Sequence, residues 1–174
     1  MAENIPQNGI NPGDHISYMK LALSLATKSP PKPTNYRVGA VVVNAVTNEI
    51  LATGYTLELP GNTHAEQCCF EKISQTYDVP ASRLGEVLSD EVILYTTVEP
   101  CSQRLSGNLP CADRILAIGN KIKTVYVGVC EPEKFVNGNS SKKKLEDTGI
   151  GFVHVTGLEK EILQVATAGH EKST

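Results

Sequence analysis

The stretch Val38–Val43 reads VGAVVV, a nearly continuous run of small and β-branched apolar residues. Such a run is typical of a central strand that is covered on both faces, because a strand with one solvated face would alternate apolar and polar residues. Thr47-Asn48-Glu49 has the residues of a turn, and Glu49–Thr56 is then expected to return antiparallel to the first strand. The sequence therefore predicts a hairpin with a buried first strand.

The rest of the chain predicts strands that alternate with helices. Asp14 is expected to cap a first helix, whose apolar residues fall at helical spacing. Because a strand-helix-strand crossover makes neighbouring strands parallel, the hairpin and the units after it predict an α/β fold, a three-layer α/β/α sandwich around a five-stranded mixed sheet. Residues 1–13 are expected to form a flexible arm before a single domain at residues 14–170. The further expected strands are 91–97, 123–129 and 151–155, and the further expected helices are 64–77, 111–118, one capped by Asn139 or Ser140, and 158–168.

The composition disfavours two classes of partner. The 174 residues carry a net charge of -3 at pH 7 and include no Trp and three Phe, so a basic stripe and stacking aromatics for nucleic acid are not evident. No apolar run approaches the length of a membrane span, and the first residues lack the pattern of a signal peptide. Five Cys, two of them adjacent, fit a reducing compartment better than a disulfide framework. We therefore expect a cytoplasmic protein with no nucleic-acid or membrane partner.

Two short segments carry the residues of a catalytic zinc site. THAE at residues 63–66 supplies His64 and Glu66, and EPC at residues 99–101 supplies Cys101, with Cys111 following after nine residues. Three N and S ligands leave the fourth position of a tetrahedral Zn²⁺ open for water, whose pKa the metal lowers to about 7. His-x-Glu is the first half of the zinc-deaminase signature, whereas the spacing of the two cysteines is longer than usual. His64, Cys101 and Cys111 are predicted to bind Zn²⁺, and Glu66 is predicted to transfer protons.

Structural roles without catalysis are also open for these residues and their neighbours. Cys68 lies one helical turn after His64 and would be the fourth ligand of a closed structural zinc site. The alternative for Cys68, and the expectation for Cys69 and Cys130, is a packed thiol. Glu66 would also suit the first turn of a helix through the helix dipole alone. The expected strand ends and helix starts bring both segments to one edge of the sheet, which favours the catalytic site.

The chain resembles the riboflavin-biosynthesis pyrimidine deaminases of the cytidine deaminase superfamily, and it resembles the fungal type most. The long loop between the cysteines is the specific part of this resemblance, whereas the HAE and PC elements are generic in the superfamily. The resemblance implies a cytidine deaminase-like fold, a Zn²⁺ cofactor and release of ammonia. It runs from about Tyr18 through Gly149 and rests on NYRVGAVV at 35–42, THAE at 63–66, EPCS at 99–102, Arg104-x-Ser106-Gly107-Asn108, and PCADRI at 110–115.

The fungal character of the resemblance implies a particular substrate, 2,5-diamino-6-ribitylamino-4(3H)-pyrimidinone 5′-phosphate. This is a phosphorylated ribitylaminopyrimidine. Bacterial relatives act on the ribosyl compound, but they have one residue fewer between the cysteines, a Lys in the region of Asn108, and usually a reductase domain after the deaminase. The resemblance also implies a homodimer, because pockets in this superfamily are often completed across interfaces.

Five residues are candidate contacts to that substrate. Asn35 precedes the first strand, where resembling deaminases contact the substrate with an Asn, although it equally suits a turn. Arg104, Ser106 and Asn108 offer a guanidinium, a hydroxyl and an amide to a phosphate or polyol, and the alternative is a solvated Arg104. Glu58 would accept hydrogen bonds from ring amino groups or lie at the surface. Lys142-Lys143-Lys144 is expected to form an exposed helix face rather than a phosphate site.

Other functions share part of this pattern. A cytosine, nucleoside or nucleotide deaminase would use the same zinc chemistry, and so would a tRNA-editing deaminase. From a different class, a non-catalytic zinc-stabilised domain would keep the ligands. Glu66 argues against that last function, because a structural zinc site has no need of it.

Overall fold

The computed structural model describes residues 9–104, 106–130 and 140–170. Over these residues five α-helices and five strands follow one another in the predicted order, with a short 3-10 helix at Ala81–Glu86 between the second helix and the third strand. The helices are α1 (His15–Ala26), α2 (Ala65–Tyr77), α3 (Cys111–Ile118), α4 (Ser141–Asp147) and α5 (Glu159–Ala166), and the strands are β1 (Gly39–Asn44), β2 (Glu49–Tyr55), β3 (Val92–Val98), β4 (Ile122–Val129) and β5 (Gly151–His154).

The strands form one mixed sheet with the order β2-β1-β3-β4-β5. β1 pairs antiparallel with both β2 and β3, while β3, β4 and β5 run parallel to one another. In the hairpin turn, the side chain of Asn44 accepts hydrogen bonds from the backbone N–H groups of Val46 and Thr47. Asn48 has a φ of 58°, in the left-handed region that Asn tolerates better than most residues. The predicted hairpin and five-stranded mixed sheet are confirmed.

Helices cover both faces of this sheet, and β1 lies between them. Ala40 and Val42 belong to the core on one face, whereas Val41 and Val43 belong to the core on the other. All four side chains are buried, as the apolar run predicted. The three-layer α/β/α sandwich is therefore confirmed: the first face packs against α2, α3 and α4 with Phe70, Ile115 and Leu145, and the second packs against α1 and α5 with Tyr18, Met19 and Ile162.

Two glycines allow the helices to approach the sheet closely. A Cβ atom on Gly39 would lie 1.8 Å from the carbonyl oxygen of Ala22 in α1, and a Cβ atom on Gly54 would lie 2.3 Å from the carbonyl oxygen of Ala65. Neither contact is compatible with a side chain, so both positions require glycine. Because Ala65 opens α2 directly after His64, the contact at Gly54 determines how close the start of α2 lies to the sheet.

The segment before α1 is attached to the sheet over the part that the structure describes. The carbonyl oxygen of Ile10 accepts a hydrogen bond from the Asn48 side chain at 2.7 Å, and Ile10 packs against the core. Ile10 is thus attached to the sheet, and residues 1–8 of the arm expected at residues 1–13 lie outside the described residues, so the flexible arm stays a prediction. Asp14 caps α1 as predicted, because its carboxylate accepts a hydrogen bond from the Ser17 N–H at 3.1 Å. Asn139 also lies outside the described residues, and Ser140 is the residue that precedes α4.

The helices are short compared with a membrane span. The longest, α2, has 13 residues, and no helix within residues 9–104, 106–130 and 140–170 is both long and apolar enough to cross a membrane.

Candidate active site

The three predicted metal ligands meet at the end of β3 that leads into the inter-cysteine loop. His64 precedes the first residue of α2, Cys111 is the first residue of α3, and Cys101 lies three residues beyond the end of β3. His64 Nδ1 lies 3.6 Å from Cys101 Sγ and 3.5 Å from Cys111 Sγ, and one donor atom from each residue falls within 4.8 Å of the others. Ordinary Zn–S and Zn–N bonds in a tetrahedron place sulfur and nitrogen about 3.5 Å apart. The donor geometry therefore fits a zinc ion.

In the absence of a metal, the two ligand thiols have very different pKa values. A hydrogen bond from Cys111 lowers the pKa of Cys101 to about 4, and His64 and the backbone N–H of Cys111 act in the same direction. The hydrogen bond that Cys111 donates to Cys101 raises the pKa of Cys111 well above its ordinary value, and burial acts in the same direction. Cys101 is therefore the thiolate of the pair and Cys111 keeps the proton, which a bound cation would displace.

Glu66 is the second residue of α2, and its side chain is almost completely buried. Its exposed fraction is 3%, and burial raises the pKa of its carboxyl group, while the charge on His64 and a hydrogen bond from Thr96 lower it. Oγ1 of Thr96 lies 2.9 Å from Glu66 Oε1 and 2.9 Å from the carbonyl oxygen of Val98. A hydroxyl carries one proton, so it can donate to an ionised Glu66, or donate to Val98 while it accepts from a protonated Glu66. Glu66 thus has a partner in both of its protonation states.

Two of the metal ligands, His64 and Cys101, line a cavity of about 260 Å³ together with Glu66. The ends of β1, β2 and β3 form its floor, and the segment before β1 and the inter-cysteine loop form its sides. Three of the five predicted substrate contacts line this cavity. They are Asn35, which precedes β1, and Arg104 and Ser106, which belong to the inter-cysteine loop. The cavity residues are Thr34, Asn35, Tyr36, Val38, Thr56, Asn62, His64, Glu66, Val98, Glu99, Cys101, Ser102, Gln103, Arg104 and Ser106.

Arg104 is held in place by residues next to the metal ligands. One guanidinium nitrogen donates to Gln67 Oε1 at 3.0 Å, and another donates to the carbonyl oxygen of Asn62 at 2.5 Å. Gln67 Oε1 also accepts from the backbone N–H of His64 at 3.4 Å. Arg104 is therefore fixed at the cavity wall, with its positive charge beside the opening. The sequence had left open whether it is solvated or binds the substrate.

Two of the five predicted contacts do not reach the cavity. Glu58 forms an ion pair with Lys72 of α2 at 2.6 Å and is absent from the cavity lining. The physical reason is that the loop after β2 lies over α2, whose lysine offers the carboxylate a fixed charge. Asn108 is exposed, and its backbone N–H donates to Ser106 Oγ at 3.4 Å.

Several residues of the site were not singled out in the sequence. Thr96 and Gln67 contact Glu66 and Arg104, and Asn62 and Glu99 line the cavity. The EPC element contains Glu99, which is 8% exposed and accepts a hydrogen bond from Ser141. This adjacency to Cys101 was the available signal for Glu99, whereas the others depend on contacts between distant segments.

The remaining cysteines differ from one another. Cys68 and Cys69 are fully buried, and burial raises the pKa of each thiol. Among the described residues the metal-binding group contains only His64, Cys101 and Cys111, so Cys68 is a packed thiol and not a fourth ligand. The expectation of a packed thiol was wrong for Cys130, which follows directly after β4 and is exposed at the edge of the sheet.

The lysine run of α4 forms the exposed face expected from the sequence. Lys142 and Lys143 are 62% and 78% exposed, and they pair with Glu146 and Asp147 one turn further along the helix. Lys144 lies 3.7 Å from Asp113 and donates to the carbonyl oxygen of Ser102. None of the three lines the cavity.

Comparison with known proteins identifies the class to which this fold and site belong. The model of the family described as "Cytidine and deoxycytidylate deaminase zinc-binding region" matches residues 12–129. This match covers more than half of the chain and includes His64, Glu66, Cys101 and Cys111. The chain belongs to this family of zinc-binding deaminases, and the predicted Zn²⁺ cofactor is confirmed.

Within that family, the chain is similar to deaminases that carry more specific names. It is 37% identical to the diaminohydroxyphosphoribosylamino-pyrimidine deaminase of Schizosaccharomyces pombe over 92% of its own length, but it spans only 37% of that relative. The crystal structure of Aspergillus oryzae Rib2 deaminase, a C-terminal deletion mutant, matches with 47% identity and a TM-score of 0.83 over 90% of this chain and 92% of that one. The same deaminase in complex with DARIPP matches with 46% identity and a TM-score of 0.81, again over 90% and 92% of the two chains. The predicted resemblance to riboflavin-biosynthesis deaminases of the fungal type is therefore confirmed.

Proposed function

We propose that residues 14–170 form a deaminase domain of riboflavin biosynthesis. It would convert 2,5-diamino-6-ribitylamino-4(3H)-pyrimidinone 5′-phosphate to 5-amino-6-ribitylamino-2,4(1H,3H)-pyrimidinedione 5′-phosphate and ammonia. One observation carries this proposal, namely that the buried carboxylate of Glu66 shares a cavity with His64 and Cys101, two members of the cluster of three zinc ligands. The choice of substrate is supported by the complex of the Aspergillus oryzae deaminase with DARIPP, at 46% identity.

Zinc, when bound by His64, Cys101 and Cys111, supplies a water of lowered pKa and so a strong nucleophile at neutral pH. The overall reaction replaces the ring amino group by the oxygen of that water. One proton of the water goes to the ring nitrogen, and the other leaves with the amine as ammonia. Both transfers need a group that accepts and returns a proton within the cavity.

Glu66 is the residue that we assign to both transfers. Burial raises the pKa of its carboxyl group, and a carboxyl group with a raised pKa can accept a proton and give it back more readily near neutral pH. Oγ1 of Thr96 lies 2.9 Å from Oε1 and can change from donor to acceptor as the proton arrives, because its own proton can turn to the carbonyl oxygen of Val98.

The polar wall of the cavity would bind the ribityl phosphate. Arg104 can donate to phosphate oxygens from the guanidinium edge that Gln67 and Asn62 leave open, because a guanidinium has five N–H groups. Ser106 lies on the same loop, and Asn35 faces the cavity from the opposite segment. Glu58 and Asn108 lie outside the cavity lining and have no part in this proposal.

We also propose that the domain works in the cytoplasm as a homodimer. Its five free thiols suit a reducing compartment. Light scattering on the purified protein would test the dimer, and a mass equal to a single chain would rule it out.

Ammonia release by the zinc-loaded protein tests the proposed reaction. The ribitylamino-pyrimidinone phosphate, its ribosylamino counterpart, cytidine and deoxycytidylate would be compared at equal concentrations. Turnover of the ribityl compound alone is expected, whereas preferential turnover of cytidine or deoxycytidylate would replace the substrate with that of a nucleoside or nucleotide deaminase. Glu66→Gln should keep its zinc while its turnover falls by a factor of roughly 10² to 10⁴, since one acid–base residue contributes about that much. Near-normal turnover by this variant would disprove the assignment of Glu66.

A further inference from the structure

The segment that brings Asn35 to the cavity is held from behind by the end of α5 and the four residues after it. The backbone N–H of Arg37 donates to the carbonyl oxygen of Ala166 at 3.1 Å. Two residues earlier, the carbonyl oxygen of Asn35 lies 2.9 Å from Nε2 of His170. The contact joins residues 135 positions apart in the sequence. We call residues 167–170 the C-terminal clamp.

Ring and backbone contacts add to these two hydrogen bonds. The ring of His170 packs edge-on against the ring of Tyr36, with centroids 4.9 Å apart and planes at 67°. Gly169 lies so close to the segment that a Cβ atom there would be 2.2 Å from the backbone nitrogen of Lys32. Only glycine fits at this position, so the clamp packs backbone against backbone with Pro31 and Lys32.

The hydrogen bond to Asn35 has a defined direction. A carbonyl oxygen cannot donate, so Nε2 of His170 must carry the proton. Both the Nε2-protonated neutral ring and the imidazolium meet this requirement. The bond is therefore a fixed attachment, and it acts on the main chain of the residue whose side chain faces the cavity.

The side-chain hydrogen bonds of Asn35 lie at the exposed rim of the cavity. Its amide donates to Asn62 Oδ1 at 3.0 Å, and its carbonyl accepts from Thr34 Oγ1 at 2.8 Å. The main chain of Asn35 is held from behind by His170, so a small shift of that main chain would move the amide relative to the metal ligands and weaken its contact with a bound substrate.

We propose that His170 and the C-terminal clamp position Asn35 for substrate binding. His170 is a positioning residue, because it touches Asn35 and Tyr36 and is not among the residues that line the cavity. This inference rests on the proposed function only in that Asn35 is taken to contact the substrate. It assigns a role in the site to the end of α5, which carries none of the catalytic sequence elements.

The test uses three substitutions that separate the two contacts of His170. His170→Phe keeps a ring against Tyr36 and removes the donor, His170→Gln keeps a donor near the position of Nε2 without the ring, and His170→Ala removes both. His154 provides a matched control, because its Nε2 lies 2.9 Å from the carbonyl oxygen of Gly128 and neither residue lines the cavity. His154→Ala therefore removes a similar hydrogen bond elsewhere in the protein, together with the contact of Nε2 to Glu159 at 3.4 Å.

The kinetic result expected is a change in KM with little change in kcat or zinc content. Loss of one hydrogen bond corresponds to about a 3- to 10-fold rise in KM for His170→Phe and His170→Ala. His170→Gln should recover most of the wild-type KM, and His154→Ala should leave it unchanged. Equal KM values for wild type, His170→Phe and His170→Ala would overturn the proposal.

Hydrogen exchange measured by mass spectrometry on the zinc-loaded proteins makes the test independent of the substrate. Backbone amides between residues 32 and 38 (except Pro33, which has none), including that of Arg37, should exchange faster in His170→Ala and His170→Phe than in wild type or His154→Ala. Gly169→Ala should give the same increase, because its added carbon displaces the clamp from Lys32. Unchanged exchange in all three variants would refute the positioning role. A wild type that ignores the ribityl compound, together with faster exchange in the variants, would refute only the proposed substrate.

Discussion

Replacing Thr96 by valine tests the role of Glu66 without removing its carboxylate. Valine has nearly the shape of threonine, so Thr96→Val deletes a fully buried hydroxyl and little else. That hydroxyl lies 2.9 Å from Glu66 Oε1. A hydrogen bond to a charged group contributes about 1.5–3 kcal/mol. Expressed fully in the transition state, its loss would reduce kcat/KM roughly 10- to 150-fold.

The pH dependence of this variant has a definite sign. The bond from Thr96 favours the ionised form and lowers the pKa of Glu66, in opposition to burial, which raises it. Thr96→Val should therefore raise the pKa of Glu66 further. A base that must be ionised to work is then lost at a higher pH, so the acid limb of the kcat/KM profile should move toward higher pH.

Thr97 provides the matched control on the same strand. It is equally buried, faces the other side of the sheet and accepts a hydrogen bond from the Gly39 N–H at 3.1 Å. Thr97→Val should cost about 1–3 kcal/mol of unfolding free energy, as should Thr96→Val, because each leaves a buried polar group with one partner fewer. Denaturant unfolding and pH–rate profiles of both zinc-loaded variants would be compared. If the two lose the same activity per folded molecule, with unshifted profiles, the bond from Thr96 has no special role at Glu66.

Three further variants or treatments probe the metal and the polar wall. Cys101→Ser should lose most of the bound zinc measured by atomic absorption, whereas Cys68→Ser should keep it, because only Cys101 lies in the ligand group; equal zinc in both would contradict this assignment. In metal-free protein at pH 6, iodoacetamide should label Cys101 before Cys130, as measured by peptide mapping. The reason is that the pKa of Cys101 is about 4 and that of Cys130 is raised, so that of the two only Cys101 is ionised. Faster labelling of Cys130 would argue against a thiolate at Cys101. Arg104→Gln should raise KM for the phosphorylated substrate roughly 10- to 150-fold by loss of a charge-assisted bond, while Arg83→Gln, which removes a surface pair with Glu86, should not; an unchanged KM in Arg104→Gln would exclude contact with the phosphate.

Most of the architecture could be predicted because its signals are local. The apolar run at Val38–Val43 became a strand buried on both faces, and the helix starts at His64 and Cys111 lie within one residue of their predicted positions. Strand ends and helix starts meet at one sheet edge in this order of elements, so the ligand cluster followed from the same pattern. These features depend on residue type and spacing over a few positions.

The sequence was least decisive where a side chain depends on a partner from another segment. Two roles were open for Glu58, a contact to ring amino groups or a place at the surface, and the structure pairs it with Lys72 of α2 outside the cavity lining. Cys130 was expected in the core, yet it lies one residue beyond β4, where burial ends. For both residues the local sequence allows either environment, and the packing of neighbouring elements decides between them.

The sequence by itself therefore determined the order of strands and helices along the chain and the grouping of His64, Cys101 and Cys111 near Glu66, because hydrophobic period and motif spacing act along the chain. Only the tertiary structure decided that Thr96 supports Glu66, that Gln67 holds Arg104, and that His170 holds Asn35. These pairs are separated by 30, 37 and 135 positions. Hydrogen bonds across such separations form only after the sheet has brought its segments together, and no local pattern of residues specifies which side chains then meet.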